Sequence, residues 1–273
     1  MSGRIRLLLS DVDGTLVTPD KVLTEATLAA VRDLKRAGIA FAIGSSRPPR
    51  GMARLVAPLD LQTPLAAFNG GMFVNPDLSV IASHVLALAT ARKVVDLFQA
   101  RGLDTWVYDA QEWYALDAKA PYIAREMRTI GFAPTVVAAF DDALLSRAAK
   151  IAGASSDFAA VADATAAAQA ALGEDASATS SQNYIVEVTH KLANKGDVVL
   201  EFSRRLGIAP DEIATIGDGG NDVFMFRKSG FSIAMGNATD AVKAEAKAVT
   251  DSNEQDGFAK AVRKFVLDPV VAS

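Results

Sequence analysis

Residues 5–16 read Ile5-Arg6-Leu7-Leu8-Leu9-Ser10-Asp11-Val12-Asp13-Gly14-Thr15-Leu16. The apolar run from Ile5 to Leu9 has the length and character of a buried strand, and it ends abruptly in a polar turn carrying two carboxylates. Downstream, Thr24 is placed to cap a helix over residues 25–37. Ala26, Leu28 to Val31 and Leu34 supply its apolar side, and Ala37-Gly38 stops it. Ile39 to Ile43 reads as a second buried strand, ending at Gly44-Ser45-Ser46-Arg47. Pro48 and Pro49 suit the first turn of the next helix, where an amide N–H has no intrahelical partner to lose. Leu65 to Phe68 is a third strand, ending at Asn69-Gly70-Gly71. Strand, helix and strand on short connections predict an α/β fold with a parallel sheet covered by helices on both faces.

Near residue 84 the rhythm changes. Over residues 85–186 helices are expected near 88–100, 121–130, 141–147 and 157–171, with strands near 104–108, 112–116, 134–138 and 149–153. The alanine-rich stretch from Ala154 to Thr179 reads as helix, because alanine has the highest helix propensity and Gly173 supplies a stop. From Asn183 the buried-strand pattern returns, with strands at 184–188, 213–216 and 231–234 and helices at 196–206, 221–228, 239–245 and 256–266. The expected organisation is therefore a core of residues 1–84 and 187–273, split by an inserted α/β unit of residues 85–186. Both histidines, His84 and His190, fall at the crossings. If the crossing segments run side by side, the two imidazoles meet at the hinge.

Composition narrows the chemistry. The chain has 273 residues, half of them hydrophobic and 22% charged, which suits a globular protein with a sizeable core. There is no cysteine, so disulfides, thiolate metal sites and cysteine nucleophiles are excluded. Two histidines cannot build a histidine-rich metal centre. A net charge of −4 argues against a nucleic-acid partner. No apolar run approaches the ~20 residues of a membrane span, and the apolar stretch at the N-terminus is too short for a signal peptide. The expectation is a soluble cytoplasmic protein with no nucleic-acid or membrane partner.

In an open parallel sheet, ligands bind beyond the carboxyl ends of the strands. Here those ends carry Asp11 and Asp13, then Ser45 and Arg47, then Asn69, then Asp218, Asn221 and Asp222. Four carboxylates gathered on one edge repel each other and raise each other's pKa unless a cation intervenes. An all-oxygen donor set favours Mg²⁺ over zinc or copper. Asp and Gly are also ordinary turn formers. Two acidic clusters, each directly after an apolar run and far apart in sequence, are much harder to obtain that way. The third ligand position and distal Glu of a calcium loop are missing after Asp11-Val12-Asp13-Gly14.

Asp11-Val-Asp-Gly-Thr-Leu16, Ser45, Lys195 and Gly217-Asp-Gly-Gly-Asn-Asp222 resemble the four motifs of the haloacid dehalogenase superfamily. The insertion between the second and third motifs resembles the Cof-type branch, subfamily IIB. The resemblance implies a Rossmann-like core, an α/β cap and Mg²⁺-dependent hydrolysis of a small phosphomonoester such as a sugar phosphate. Asp11 would be the nucleophile. Asp13 would be the general acid and base, and would offer its backbone carbonyl to the metal. Lys195 would neutralise charge on Asp11 and the phosphoryl group. Asp218 would join Asp11 at the metal, Asp222 would sit beside it as a further ligand or as a carboxylate supporting the ligands, and Asn221 would orient the group. Ser45 would bind a phosphoryl oxygen; a serine there also suits the N-cap of the next helix, and the two roles are compatible. The branch usually has Gly between its hydroxyl residue and its Arg, whereas this chain has Ser45-Ser46-Arg47, so Ser46 is the alternative contact. Arg47 would meet substrate or cap, or lie on the surface. Asn69-Gly70 would contact substrate, though Asn-Gly is equally a hairpin signal.

Two other readings use the same residues. A phosphomutase returns the phosphoryl group to a sugar, and a non-catalytic binding protein keeps only the fold. A binding module has no need of an acid–base Asp13. Trp106, Tyr108, Trp113 and Tyr114 cluster in the insertion, where aromatics stack on ligands or, more commonly, pack in the core.

Overall fold

The run after Arg6 forms β1 (Leu7–Ser10), buried along its whole length. Side chains on a strand alternate between faces. Leu8 accordingly packs with Ala30, Val31 and Leu34 of α1 (Glu25–Arg36), whereas Leu7 and Leu9 pack on the opposite face with Val198, Val199 and Phe202. The computed structural model describes residues 4–267. After α1, capped by the Thr24 side chain, come β2 (Ala40–Gly44), α2 (Pro49–Val56) and β3 (Leu65–Ala67). A turn at residues 68–71 reverses the chain into β4 (Met72–Val74), which pairs with β5 (Val80–Ser83).

The inserted region begins with α3 (Leu88–Gln99), β6 (Asp104–Tyr108), β7 (Trp113–Ala115), α4 (Ile123–Ile130) and β8 (Thr135–Val136). It continues through α5 (Asp142–Leu145), β9 (Lys150–Ala154), α6 (Phe158–Leu172), β10 (Ala176–Gln182) and β11 (Ile185–His190). These strands form a separate six-stranded sheet in the order β10-β11-β9-β6-β7-β8. One face of it packs on α3 and α6 through Val107, Ile151, Val186 and Val188. Its alternate residues, including Tyr108, Lys150 and Glu187, belong to the other face.

The chain then adds α7 (Lys195–Leu206), β12 (Ile213–Gly217), α8 (Asp222–Phe226), β13 (Phe231–Ala234), α9 (Asp240–Ala244), β14 (Ala248–Val249) and α10 (Gly257–Ala261). The first sheet thus has eight strands in the order β14-β13-β12-β1-β2-β3-β4-β5. It is parallel from β14 to β3 and antiparallel at the β4 and β5 edge.

One expectation needs correction, and one strand goes unread in the sequence pattern. The strand at 184–188 does not reopen the core: β11 lies between β10 and β9 in the six-stranded sheet, so the expected boundary between 186 and 187 falls inside a strand. A buried apolar run reads alike in either sheet, so sequence pattern cannot assign its partners. The alanine-rich helix runs from Phe158 to Leu172 and stops at Gly173, as expected. The residues Ala-Ser-Ala-Thr-Ser-Ser-Gln that follow form edge strand β10, which lacks the bulky β-branched and aromatic residues that usually mark strands.

The two crossings between the sheets do run side by side. His84 at the end of β5 and His190 at the end of β11 stack with ring centroids 5.3 Å apart and planes 20° from parallel. His84 is held further by its backbone N–H, which donates to the Gly71 carbonyl at 2.8 Å.

Candidate active site

β1 and β12 are adjacent and parallel, so the turns leaving them lie side by side at the carboxyl edge of the sheet. This adjacency brings Asp11 to Asp218 and Asp222 across some 200 residues of chain. Carboxylate oxygens from the three lie within 4.8 Å of one another. Lys195, the first residue of α7, enters the same cluster fully buried, bonding Asp11 and also donating to Asp222 at 2.5 Å.

Burial in a low-dielectric pocket disfavours charge, and like charges compound the effect. Asp11 is therefore raised well above the carboxylate range, chiefly by burial, with Asp222 and Asp218 adding to it and Lys195 opposing. Asp218 is pushed up to about 6, by burial first and Asp222 second. Lys195 is penalised by burial too, yet the charges of Asp11 and Asp222 outweigh that and hold its pKa above the ordinary lysine value. Three carboxylates against one buried ammonium leave an excess of negative charge, and every donor is oxygen. The cluster suits a hard divalent cation held by Asp11, Asp218 and Asp222.

The surrounding backbone is shaped for this cluster. Asp222 accepts from the backbone N–H groups of Asp218 at 2.9 Å and Gly219 at 2.8 Å, so it fixes the turn as well as facing Lys195. Gly14 has φ +81°, and a Cβ there would land on the Asp218 carboxylate. Thr15 Oγ1 donates to Asp218 at 3.3 Å, and Asn237 Nδ2 donates to Asp218 at 3.1 Å and to the Gly14 carbonyl at 2.9 Å. Asn237 follows β13 with no motif around it, which is why sequence reading misses it.

Asp13 stands apart from the acidic cluster. Arg47 grips it with two bonds of 2.7 Å, and Lys21 donates to it at 2.7 Å. Burial alone would raise its pKa, but these two cations outweigh burial and lower it. Its carboxylate is thus engaged elsewhere than with Asp11, Asp218 and Asp222, which leaves its backbone carbonyl as the group it has for a metal. Arg47 is no surface residue: it is buried, and it also donates to the Gly51 carbonyl at 3.2 Å.

The serine pair separates. Ser45 is buried, its hydroxyl accepting from the Arg47 N–H at 3.2 Å, and it does not cap α2, whose N-cap position is Pro48. Ser46 lines the cavity over the carboxylates. Asn69 has φ 57° and Gly70 φ 96°, so both shape the turn between β3 and β4. Asn69 also reaches the site, accepting from Asn221 Nδ2 at 3.1 Å. A side chain at Gly70 would press on Val198, so this glycine is a close approach to α7, and unlike Asn69 it is not among the residues that line the cavity.

Above these residues is a cavity of about 1030 Å³ between the two sheets. Asp11, Asp13, Asp218 and Asn221 line it from the core, and Lys150, Tyr184 and Glu187 from the six-stranded sheet. Lys150 and Glu187 form a buried ion pair at 2.7 Å, and Lys150 Nζ also donates to the Ser46 carbonyl at 3.4 Å. Trp106, Tyr108 and Trp113 are fully buried in each other's company and serve packing.

Residues 8–262 match the haloacid dehalogenase-like hydrolase family. The chain belongs to that family. It is 23% identical over 263 residues to the 5-amino-6-(5-phospho-D-ribitylamino)uracil phosphatase YcsE of Bacillus subtilis, covering 96% of each chain. A haloacid dehalogenase-like hydrolase from Bacteroides thetaiotaomicron superposes with a TM-score of 0.87 at 23% identity, over 95% of this chain and 99% of that one. A HAD subclass IIB sugar phosphatase gives a TM-score of 0.83 at 21% identity, over 96% of this chain and 100% of the other. The chain is thus a haloacid dehalogenase-like hydrolase, and the relatives it resembles include phosphatases. Among the described residues, no helix is long and apolar enough to cross a membrane.

Proposed function

We propose that this hydrolase removes the phosphoryl group from a small phosphorylated metabolite, of the sugar-phosphate kind, through a phosphoenzyme on Asp11. One observation carries the reading: the Asp11 carboxylate is buried beside Lys195, Asp218 and Asp222 at the floor of a cavity that also holds Asp13. A bound Mg²⁺ would offset the charge of the three carboxylates and of the phosphoryl oxygens. Lys195 holds Asp11 in place and supplies fixed positive charge where negative charge builds up.

The residues divide the reaction as follows. An Asp11 oxygen attacks phosphorus as the bond to the leaving oxygen breaks, and a proton on Asp13 passes to that oxygen. Water then attacks phosphorus, Asp13 takes the water's proton, and inorganic phosphate leaves with Asp11 restored. Arg47 and Lys21 keep Asp13 ionised at rest, which is the state the second step needs. For the first step Asp13 gains its proton as the phosphate's negative charge enters beside it, since a like charge raises a carboxylate's pKa. Ser46 and Asn69, which line the cavity, would hold phosphoryl oxygens.

The region from residue 85 to His190 acts, on this reading, as a cap that admits substrate and excludes water. We read the protein as cytoplasmic. The test is a panel of phosphorylated metabolites with Mg²⁺, scored for inorganic phosphate. Release from at least one sugar phosphate or related ester supports the reading. No release across the panel, p-nitrophenyl phosphate included, would overturn it.

A further inference from the structure

The cavity holds more positive charge than the reaction centre uses. Lys21 and Arg47 are occupied by Asp13, and Lys150 by Glu187. Arg54, Arg125 and Arg128 also line the cavity, and none of them has a carboxylate partner within 4.0 Å among the described residues. The acid nearest them in sequence, Glu126, also lines the cavity, where it accepts from the buried Tyr108 hydroxyl at 2.9 Å and makes no ion pair with any of the three.

The placement of these arginines is ordered. Arg54 comes from α2 in the core, and its guanidinium donates to the Thr129 carbonyl at 3.0 Å near the end of α4. Arg125 and Arg128 are one turn apart on α4 and so share a side of it. Arg125 lies over the Tyr184 ring, 4.5 Å from its centroid, and Tyr184 is itself stacked on Tyr122 at 4.3 Å. An arginine held over an aromatic ring has given up much of its rotamer freedom, while its N–H groups can still meet a bidentate acceptor. The core and the cap therefore present guanidinium groups to the same space.

We propose that Arg54, Arg125 and Arg128 form a second anion-binding subsite, so that the preferred substrate is a phosphomonoester bearing another anionic group, a carboxylate or second phosphate, away from the scissile phosphate. The proposal rests on the phosphatase reading and narrows it. Because the subsite draws one residue from the core and two from the cap, such a substrate also bridges the two and favours the closed arrangement.

Matched substrate pairs test it. Glycerol 3-phosphate against 3-phosphoglycerate adds a carboxylate, and fructose 6-phosphate against fructose 1,6-bisphosphate adds a phosphate. For at least one pair, kcat/KM is expected to favour the doubly anionic member by ~10-fold or more, the scale of a charge-assisted contact. The ratio should fall towards one in Arg54→Gln, Arg125→Gln and Arg128→Gln, mainly through KM, with partial recovery in Arg125→Lys. Using a ratio within each variant cancels losses from misfolding. The two pairs separate carboxylate from phosphate recognition. Equal kcat/KM within both pairs, or ratios untouched by all three substitutions, would overturn the subsite while leaving the phosphatase reading intact. Absence of phosphate release from every ester would overturn both.

Discussion

Lys195→Met keeps roughly the length of the side chain and deletes the ammonium that lies between Asp11 and Asp222. Lys195 and both partners are buried, so water cannot take over the solvation of the carboxylates. Breaking a buried pair by removing one partner typically costs roughly 3–5 kcal/mol. For a chain of this size each kcal/mol moves the melting temperature by about 2 °C, so a fall of roughly 6–10 °C is expected. The penalty should depend on pH. Asp11 and Asp218 already have raised pKa values, so the folded state binds more protons than the unfolded state just above the ordinary carboxylate range. Stability from these groups therefore falls as pH rises through that window. Without Lys195 the raised values climb further and the window widens. The deficit of the variant should be largest near about pH 8 and shrink towards about pH 5, and Mg²⁺ should recover part of it through binding to the folded state. Urea unfolding of parent and variant at the two pH values, with and without Mg²⁺, measures all of this. A deficit under about 1 kcal/mol that does not change with pH would refute the charge argument.

Three further outcomes are expected. Asp13→Asn should lower turnover by at least ~10²-fold on alkyl phosphates and much less on p-nitrophenyl phosphate, whose leaving group needs no proton; equal losses on both would remove the acid role. EDTA should abolish activity, Mg²⁺ should restore it and Ca²⁺ should do so poorly because its larger and looser coordination misplaces the reacting groups; full turnover after rigorous metal removal would count against the mechanism. His190 is held below the ordinary histidine range by burial, with His84 and Lys191 adding to it, so stability should be lost as pH falls through the window below about 6.5. His190→Gln should flatten that slope in thermal melts, and an unchanged slope would show that the stacked pair carries no such linkage.

Strand-end chemistry was legible because it is local. The turn after β1 and the turn after β12 each follow an apolar run, and parallel pairing of those strands suffices to join them. The hinge histidines were legible for a related reason: two crossings between one core and one insertion must lie close together. Sheet membership was not. Ile185, Val186 and Val188 read like the apolar residues of a core strand, and the partners β10 and β9 are chosen by tertiary packing. The partners of Asp13 also escaped notice, because Arg47 looks like any first-turn arginine until its burial is seen. Asn237, Lys150 and the three cavity arginines are single residues without a motif; the core sheet alone brings Asn237 to Asp218, and the others meet only when the two sheets face each other.

The central claim is that Asp11 accepts the phosphoryl group. The most direct test quenches the enzyme in acid during turnover of its best substrate and locates covalent phosphate by peptide mass spectrometry. The expected result is phosphate on the peptide containing Asp11, assigned to that aspartate and absent from Asp11→Asn, which should also release no inorganic phosphate. Phosphate on another residue, or an Asp11→Asn variant that turns over at a rate comparable to the parent, would contradict the mechanism.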